Sequence, residues 1–305
     1  MRRDPRVVIF TDDPGWHGRE LSRALAARGI ECVYASLKDC TFDVQHDSVG
    51  LLIPGFDGAL PRGAFVRGVP GGHLEEVVLR LDFLHVLAAL KTPVFNSGRA
   101  IERTVDKALT SVRLVLAGVP TPRTWVCEGA ATAAAIAGPI LAQGLALVVK
   151  PLFGSQGEGI VQITTQAELA TLVPAGGVFY LQEYLARGGP PYRDWRVLVV
   201  AGRARFAMER VSTHWVTNRA QGATCIAATL TPEMAALAEA AAAALEVDYA
   251  GIDLMRDARA RWTIGEVNGV PAWWGLSQAT GADVTAVLVD AFISKLNAAP
   301  NAESY

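Results

Sequence analysis

The sequence of 305 residues is poor in cysteine and contains no cysteine arrangement that binds a metal or staples a small fold. Its four cysteines, Cys32, Cys40, Cys127 and Cys225, are scattered and form no C-x-x-C pair. Scattered cysteines in a chain of this length indicate free thiols in a reducing compartment.

An excess of charge of one sign and long apolar runs are also missing. Lys and Arg number 28 against 30 Asp and Glu, without a basic run, so the electrostatic footprint of a nucleic-acid-binding protein is absent. The first apolar run ends at Thr11-Asp12-Asp13, which leaves no apolar region of a signal peptide. No stretch approaches the roughly 18 apolar residues of a membrane span. We therefore expect a cytoplasmic, globular protein that binds neither nucleic acid nor membrane.

The length of 305 residues predicts about two domains at about 150 residues each. Hydrophobic residues make up 51% of the chain, which is enough to form the cores of these domains. In the first ninety-odd residues, short apolar runs alternate with helical patterns. The predicted strands are 6–10, 31–35, 49–53 and 93–95, and the predicted helices are 16–28 and 74–88. This alternation predicts an α/β fold with a parallel, doubly wound, Rossmann-like layer. The G-x-G-x-x-G dinucleotide fingerprint does not follow the first strand.

From residue 96 onwards the pattern predicts an α+β portion. Its predicted helices are 97–117, an alanine-rich helix that breaks near Pro139, 231–245 and 283–296. Its predicted strands are 123–126, 145–149 and 160–163, a hairpin of 193–200 with 203–211, and a hairpin of 249–255 with 261–267. We predict domains at 1–95, 96–185 and 186–298, with a tail at 299–305.

Three closely spaced glycines, Gly154, Gly157 and Gly159, follow the predicted strand 145–149. Glycine lets the backbone approach an anion closely, and its N–H groups can cradle phosphate oxygens. Lys150, at the end of the strand, adds a fixed positive charge. Because this lysine precedes the glycines, the loop is not a Walker A loop. A phosphate cradle and a plain turn both remain open. In the same way, Glu183 at a strand end could bind a purine edge or simply end the strand.

Oxygen-bearing side chains are placed together by the second predicted hairpin. Glu266 and Asn268 are two residues apart on a strand and so point to the same face. With the turn centred on Arg259-Ala260, Asp253 lies opposite Glu266 at a distance of about 5 Å between Cβ atoms. Such hard oxygen ligands suit Mg²⁺, with phosphate oxygens and water completing its coordination. Solvated carboxylates on a surface hairpin are the alternative, but unpaired charges in apolar strands are costly.

Arginines in the first predicted hairpin need an anionic partner. Arg196 and Arg210 could pair with Asp194, Glu209 or a ligand phosphate. A two-residue turn places the two arginines on opposite faces, whereas a three-residue loop places them on one face. The sequence leaves both registers open.

In chain order these motifs resemble the ATP-grasp superfamily and, within it, the RimK-type α-L-glutamate ligases. The fragments that carry the resemblance are VFNSGRAIERTVDKALTSVRLVLAGVPTPRTW, VVKPLFGSQGEGI, DWRVLVVAGRARFAMERV and GIDLMRD with IGEVN. They cover residues 68–296, and the first lobe fits the family's pre-ATP-grasp domain more loosely. The resemblance implies an ATP-grasp fold behind a Rossmann-like N-terminal domain.

Residue roles follow from the resemblance alone. It implies nucleotide contacts from Lys107, Lys150, Gly154, Ser155, Gln156, Gly157, Gly159, Gln182, Glu183, Tyr184, Leu185, Asp194, Val216, Thr217 and Asn218. Glu183 and the backbone at Tyr184 would bind adenine and Asp194 the ribose. The loop 154–159 would be a mobile lid over the triphosphate. Asp253, Glu266 and Asn268 would hold two Mg²⁺, with Mn²⁺ as the alternative. Arg210, with Lys150, would be catalytic and stabilise the transferring phosphoryl group.

The resemblance also implies the reaction. ATP would convert a carboxylate into an acyl phosphate, which the amine of L-glutamate would attack. Arg196, His214 or Arg219 would bind the amino acid's carboxylate. A homo-oligomer, dimer or tetramer, is expected.

Two departures from the family bear on the acceptor. Residues 213–222 lack the Arg-Ser-Asn and His-Arg-Gly pattern of the members that modify ribosomal protein. The run Pro-Ala-Trp-Trp-Gly-Leu at 271–276 looks more like ligases acting on pterin- or furan-type one-carbon cofactors, which favours a small, tetrahydromethanopterin-like acceptor. Trp273 and Trp274 could instead simply pack under the final helix.

Other functions remain open. A ligase that modifies a protein C-terminus or makes another peptide or amine amide of glutamate is one alternative. A non-catalytic ATP-binding regulatory module is another, against which the complete set of Lys150, Asp253, Glu266 and Asn268 argues.

Overall fold

The computed structural model describes residues 2–46, 48–154, 156–185, 188–257 and 259–298. Among these residues, no helix has both the length and the apolar character needed to cross a membrane. The predicted tail 299–305 lies outside the described residues.

The N-terminal region is built on a parallel sheet with strand order β3-β2-β7-β8, which confirms the predicted parallel layer. Its elements are β1 (Arg3–Asp4), β2 (Val7–Phe10), α1 (Gly15–Ala26), β3 (Cys32–Ala35), β4 (Thr41–Val44), β5 (Val49–Leu52), β6 (Leu60–Pro61), β7 (Ala64–Val66), α2 (Leu74–Ala89) and β8 (Val94–Phe95). All four residues of β2 are fully buried, as expected of a strand covered on both faces.

One strand of this layer was assigned to the wrong segment. The predicted strand 49–53 becomes β5, which pairs antiparallel with β4 outside the parallel sheet. Its end residues, Val49 and Leu52, are exposed. The third strand of the layer is instead β7, whose three residues are completely buried. A three-residue run is too short to stand out by periodicity, which explains the error.

The central region contains a second, antiparallel sheet with strand order β11-β10-β12-β9. Its elements are α3 (Gly98–Val105), α4 (Lys107–Leu116), β9 (Thr124–Glu128), α5 (Ala130–Leu141), β10 (Leu147–Lys150), β11 (Val161–Ile163), α6 (Gln166–Ala170) and β12 (Val178–Glu183). The expected break at Pro139 is wrong, because α5 continues through it. Proline in a last turn removes only one hydrogen bond from an alanine-rich helix.

The C-terminal region carries an antiparallel sheet with strand order β15-β14-β13-β16-β17. Its elements are β13 (Tyr192–Val200), β14 (Arg203–Ser212), β15 (Thr224–Ala227), α7 (Pro232–Leu245), β16 (Tyr249–Arg256), β17 (Trp262–Asn268), α8 (Trp274–Thr280) and α9 (Val284–Ala298). One face packs on α7 through an apolar cluster that includes Val197, Ala238 and Ile252. The other face packs on α8 and α9 at one end, through Leu198 and Phe292. Its other end carries charged side chains.

Candidate active site

The hairpin β13–β14 decides on which face its two central arginines lie. The turn is the two-residue Ala201-Gly202, but a bulge between Leu198 and Val199 shifts the register by one residue. Arg210 therefore pairs with Asp194, two residues from Arg196, so that both arginines lie on the same face. A bulge in a two-residue hairpin thus gives the result that a three-residue loop would give.

The hairpin β16–β17 has the predicted register from Gly251 to Asp253, and a bulge shifts it by one residue nearer the turn. Asp253 lies opposite Glu266, which confirms the predicted pairing, and Gly251 lies opposite Asn268. Because β16 also pairs with β13 through Asp253 and Arg196, the charged residues of four strands share one face. We call this set the charged face: Asp194, Arg196, Arg210, Asp253, Glu266 and Asn268.

Arg210 is the centre of the charged face and is almost completely buried, at 3% exposure. Its Nε and Nη2 donate to the two carboxylate oxygens of Asp194, both at 2.6 Å, and Nη2 also donates to Asp253 Oδ2 at 2.8 Å. Burial alone would lower the pKa of Arg210, but the two carboxylates outweigh it and raise that pKa. The guanidinium is therefore held rigidly in one orientation.

Asp253 is shared between two arginines. Arg196 donates from Nε to Oδ1 at 2.6 Å and from Nη2 to Oδ2 at 2.7 Å, in addition to the bond from Arg210. Burial by itself would raise the pKa of Asp253, but the charges of Arg196 and Arg210 hold it below its usual value. The carboxylate is therefore ionised at neutral pH.

Asp194 is fixed by two partners rather than one. Besides the paired bonds from Arg210, its Oδ2 accepts a hydrogen bond from Thr217 Oγ1 at 2.5 Å. Both residues are buried. This contact ties the segment 213–222 to the charged face. No sequence pattern predicts this contact, because Thr217 lies outside the strands that carry the other charges.

Glu266 and Asn268 complete the oxygen donors on the charged face. Glu266 is partly exposed, and its Oε1 lies 3.9 Å from Lys107 Nζ. The Asn268 Nδ2 atom is buried and has no hydrogen-bond partner among the described residues. A ligand oxygen would supply the missing acceptor.

These residues fit a hard divalent cation by the chemistry of their donors. Asp253, Glu266 and Asn268 offer only oxygen ligands, and carboxylate oxygens can accept more than one partner each. Within the described residues, no group of three or more His, Cys, Asp and Glu side chains is placed to hold a metal ion. A cation would therefore depend on the asparagine oxygen and on ligand oxygens to fill its coordination shell.

Two lysines of the central region lie opposite the charged face. Lys150 Nζ donates to Gln182 Oε1 at 2.7 Å across the β10–β12 pair, and Gln182 itself is buried. Lys107 Nζ donates to the carbonyl of Gly154 at 2.7 Å. Burial lowers the pKa of Lys107, although Glu266 and Asp106 oppose the effect. Both ammonium groups are placed to bind an anion.

The glycine loop closes over the cleft between the two antiparallel sheets. At Gly157, where φ is +76°, an added Cβ would lie 2.9 Å from Val216 Cγ1. Gln221 Nε2 donates to the carbonyl of Gln156 at 3.3 Å. The loop therefore lies against the segment that also holds Thr217. Ser155, predicted to bind nucleotide, lies outside the described residues.

The cleft brings together most of the residues predicted to bind nucleotide, metal or phosphoryl group. Those that line it are Lys107, Lys150, Gly154, Gly157, Gln182, Glu183, Tyr184, Leu185, Asp194, Arg210, Val216, Thr217, Asn218, Asp253 and Glu266. Gln156, Gly159, Asn268 and Arg196 are outside this lining. The structure adds apolar walls that the sequence did not reveal, from Leu114, Val148, Ile160 and Met255. These come from four separate segments, so only the fold places them together.

The remaining substrate candidates lie elsewhere. His214 is exposed, and its Nδ1 accepts a hydrogen bond from the Val216 N–H at 3.2 Å. Arg219 is exposed and lies over the Trp274 ring, with 4.2 Å from Cζ to the ring centroid. Trp273 is fully buried, and its Nε1 donates to Thr285 Oγ1 of α9 at 2.9 Å, so the packing alternative is correct for this residue. The four cysteines are free thiols, as predicted.

Comparison with known proteins identifies a family and related sequences. Residues 104–292 match the family model of the RimK-like ATP-grasp domain. The chain is 33% identical to the tetrahydromethanopterin:alpha-L-glutamate ligase of Methanococcus maripaludis over 74% of this chain and 77% of that one. It is 30% identical to the protein of the same name from Methanosarcina acetivorans, over 90% and 94%.

A solved structure extends the match to the whole fold. The ATP-grasp ligase PsnB, in complex with a minimal precursor, Mg and ADP, is similar with a TM-score of 0.73 at 19% identity. The match covers 97% of this chain and 100% of that one. At this identity the likeness concerns the fold, and it includes the N-terminal region that the family model does not reach.

Proposed function

The chain belongs to the RimK-like ATP-grasp family, and we propose that it is an ATP-dependent ligase that joins a small-molecule carboxylate to the amine of L-glutamate. The observation that carries the proposal is the charged face lying opposite the glycine loop. A buried, fixed guanidinium, two lysines and the carboxylates of Asp253 and Glu266 line one cleft. This arrangement suits phosphoryl transfer, which needs positioning and charge neutralisation rather than a protein nucleophile.

ATP binds in this proposal with its base near Glu183, Tyr184 and Leu185 and its phosphates between Lys150 and the charged face. Lys107 holds the loop through Gly154 and adds a second positive charge. Asp253, Glu266 and Asn268 hold Mg²⁺, for which we propose two ions. The metal, when bound, neutralises charge on the phosphate oxygens.

The reaction has two steps. An oxygen of the acceptor carboxylate attacks the γ-phosphorus, the bond to ADP breaks, and an acyl phosphate forms. Arg210, whose orientation Asp194 fixes, stabilises the charge on the phosphoryl group in transit. The neutral amine then attacks the acyl carbon, phosphate leaves and the amine proton passes to a base or to water. An amide, ADP and phosphate result.

Activation and shielding explain why both the charged face and the loop are needed. An amine cannot expel an oxide ion from a carboxylate at a useful rate, whereas phosphate is a good leaving group. The acyl phosphate hydrolyses if water reaches it, and the loop over the cleft excludes water. Within the described residues, the site holds no serine or cysteine paired with histidine for a covalent route.

For the acceptor we propose a tetrahydromethanopterin-like carboxylate. The proposal is supported by the names of the methanogen relatives and by the Pro-Ala-Trp-Trp-Gly-Leu run at 271–276. We place the enzyme in the cytoplasm, where its free thiols are stable, and propose a dimer or tetramer from the family resemblance.

An isotope experiment tests the chemistry. Acceptor candidates are first screened with ATP, Mg²⁺ and L-glutamate, and a mass increase of one glutamyl group identifies the substrate. The acceptor carboxylate is then labelled with ¹⁸O. One labelled oxygen should appear in the released phosphate for each amide formed. Unlabelled phosphate would show that the carboxylate is not the group that is phosphorylated.

A further inference from the structure

A second group of polar and aromatic side chains lies where the N-terminal region meets the segment after β17, and the chemistry above does not use it. We call it the seam cluster: His17 in α1, Arg67 after β7, Arg219, and Trp273 with Trp274 at the start of α8. Its members come from four separate parts of the chain. The fold brings them together beside the charged face.

Two arginines of the seam cluster have no acidic partner in the part of the chain that the structure describes. The Arg67 Cζ lies 4.6 Å from the centroid of the Trp273 ring, and the Arg219 Cζ lies 4.2 Å from that of Trp274. Nη1 of Arg67 donates to the Pro271 carbonyl at 3.0 Å. Among the described residues, neither guanidinium has a carboxylate within 4.0 Å, unlike Arg196 and Arg210. A stacked guanidinium keeps its N–H edge available for an anion.

His17 anchors the backbone that carries the two rings on which the arginines lie. Its Nε2 accepts hydrogen bonds from the backbone N–H groups of Trp273 and Trp274, at 3.1 and 3.3 Å. An accepting nitrogen must be unprotonated. Burial, with the positive charges of Arg67 and Arg219, lowers the pKa of His17 to about 4, so the ring is neutral near pH 7. The platform beneath both guanidinium groups is therefore rigid.

The seam cluster adjoins the charged face at both ends of the segment 271–275. Pro271 Cβ lies 3.1 Å, and Arg196 Cδ 3.3 Å, from the position of a Cβ added at Gly251, which pairs with Asn268. At the other end, Arg219 Cδ lies 3.0 Å and Cys225 Sγ 3.4 Å from a Cβ added at Gly275. Cys225 in turn pairs with Arg210. A ligand on the seam cluster thus lies next to the phosphoryl site.

We propose that Arg67 and Arg219 bind the two carboxylates of the L-glutamate whose amine forms the new bond. The inference deepens the function proposed above and rests on it. The acceptor carboxylate must reach the γ-phosphate near Arg210, so it does not occupy the seam cluster. A dicarboxylate amino acid offers one anionic group to each of these two guanidinium groups, neither of which pairs with a carboxylate among the described residues, and charge-assisted forked hydrogen bonds are strong.

The same arginines also prepare the amine for attack. Positive charge near an ammonium group lowers its pKa, which increases the fraction of the neutral, nucleophilic amine. This effect adds to the positioning of the amine toward the acyl phosphate. His17 acts as a positioning residue, because it holds the tryptophans and touches no reacting atom.

Calorimetric titration with amino acids tests the proposal. Wild-type protein, with Mg²⁺ and a non-hydrolysable ATP analogue, is titrated with L-glutamate, with L-glutamine, which lacks the side-chain carboxylate, and with glutamate α-amide, which lacks the α-carboxylate. Each analogue should bind about 10- to 100-fold more weakly than glutamate, the usual effect of losing a charge-assisted bond.

Variants then assign each carboxylate to an arginine. Arg67→Ala and Arg219→Ala should each weaken glutamate binding about 10- to 100-fold. Each variant should also lose the preference for glutamate over one of the two analogues, a different one for each arginine. Arg67→Lys, which keeps the charge, should bind with intermediate affinity if Arg67→Ala folds poorly. Arg205→Ala, at an exposed arginine of β14, is the matched control and should bind glutamate like the wild type.

The outcomes separate the two proposals. Wild-type affinity in both alanine variants, or equal weakening for glutamate and both analogues, overturns the assignment of the arginines, as does a wild-type protein that does not bind glutamate. Binding that follows the expected pattern, without amide formation from any acceptor in the screen, supports the glutamate site and refutes the proposed ligase reaction.

Discussion

Gly157→Val should slow turnover strongly while leaving nucleotide binding nearly unchanged. Gly157 has a φ of +76°, which costs an L-residue about 1–2 kcal/mol, with a β-branched side chain at the upper end. Its Cβ would lie 2.9 Å from Val216 Cγ1 and 3.4 Å from Asn218 Cβ, and overpacking of this kind costs about 1–3 kcal/mol. Together, about 2–5 kcal/mol against the closed loop predicts a fall in kcat of roughly 30-fold or more.

Steady-state ADP release and calorimetric binding of ADP measure the two quantities. Gly157→Ala with Val216→Ala removes the contact but keeps the unfavourable φ, so it should recover only part of the loss. Gly189→Ala is the control, because its Cβ would have no neighbour within 4 Å and its φ is not in the left-handed region. A Gly157→Val enzyme that turns over like the wild type would show that loop closure is not needed for the reaction.

Two further predictions concern the metal and the seam cluster. Glu266→Gln removes one anionic ligand from a partly exposed position, so ADP release should fall roughly 100-fold with an unchanged melting temperature; wild-type activity at low Mg²⁺ would refute the metal assignment. His17 is neutral in the folded protein down to a pKa of about 4, whereas the unfolded chain takes up a proton below about 6.5. Stability should therefore fall by about 3 kcal/mol from pH 6.5 to 4 through this residue, and urea unfolding of His17→Gln should lack that part of the loss. An identical pH dependence in both proteins would contradict it.

The pairing of Asp253 with Glu266 is predicted correctly, whereas the faces of Arg196 and Arg210 could not be predicted. In the structure Arg256 lies opposite Trp262, so the turn is centred on Arg259, and a bulge with Gly265 as its extra residue lies between this turn and Asp253. The two shifts cancel, so the predicted pairing results. In the hairpin β13–β14 the bulge also lies between the turn and the arginines, and it places both on one face although the turn has two residues. The extra residue is Arg205 of β14, which lies between the partners of Val199 and Leu198, and no glycine or other turn residue marks it in the sequence.

The seam cluster could not be predicted from sequence patterns for a different reason. His17, Arg67, Arg219 and Trp273 each lie in a separate segment, and no local spacing connects them. Taken alone in the sequence, each of these residues looks like an ordinary helix residue or a charged residue of a loop. Only the packing of α1 and β7 against α8 and α9 gives two arginines a shared aromatic platform. Residue patterns within one helix, strand or hairpin could therefore be interpreted from the sequence, whereas contacts between regions could not be predicted from it.

The segment after β17 links the site proposed for phosphoryl transfer to the site proposed for the amino acid, and could therefore coordinate the two proposed steps of the reaction. Asn268, at its start, is the donor whose buried Nδ2 has no partner among the described residues. Pro271 and Trp273, a few residues on, hold Arg67. A ligand oxygen that binds Asn268 would therefore act on the same short stretch of backbone that carries the proposed amino-acid subsite. Because His17 clamps that stretch to α1, the N-terminal region would take part in the proposed reaction by position, although none of its described residues lines the cleft.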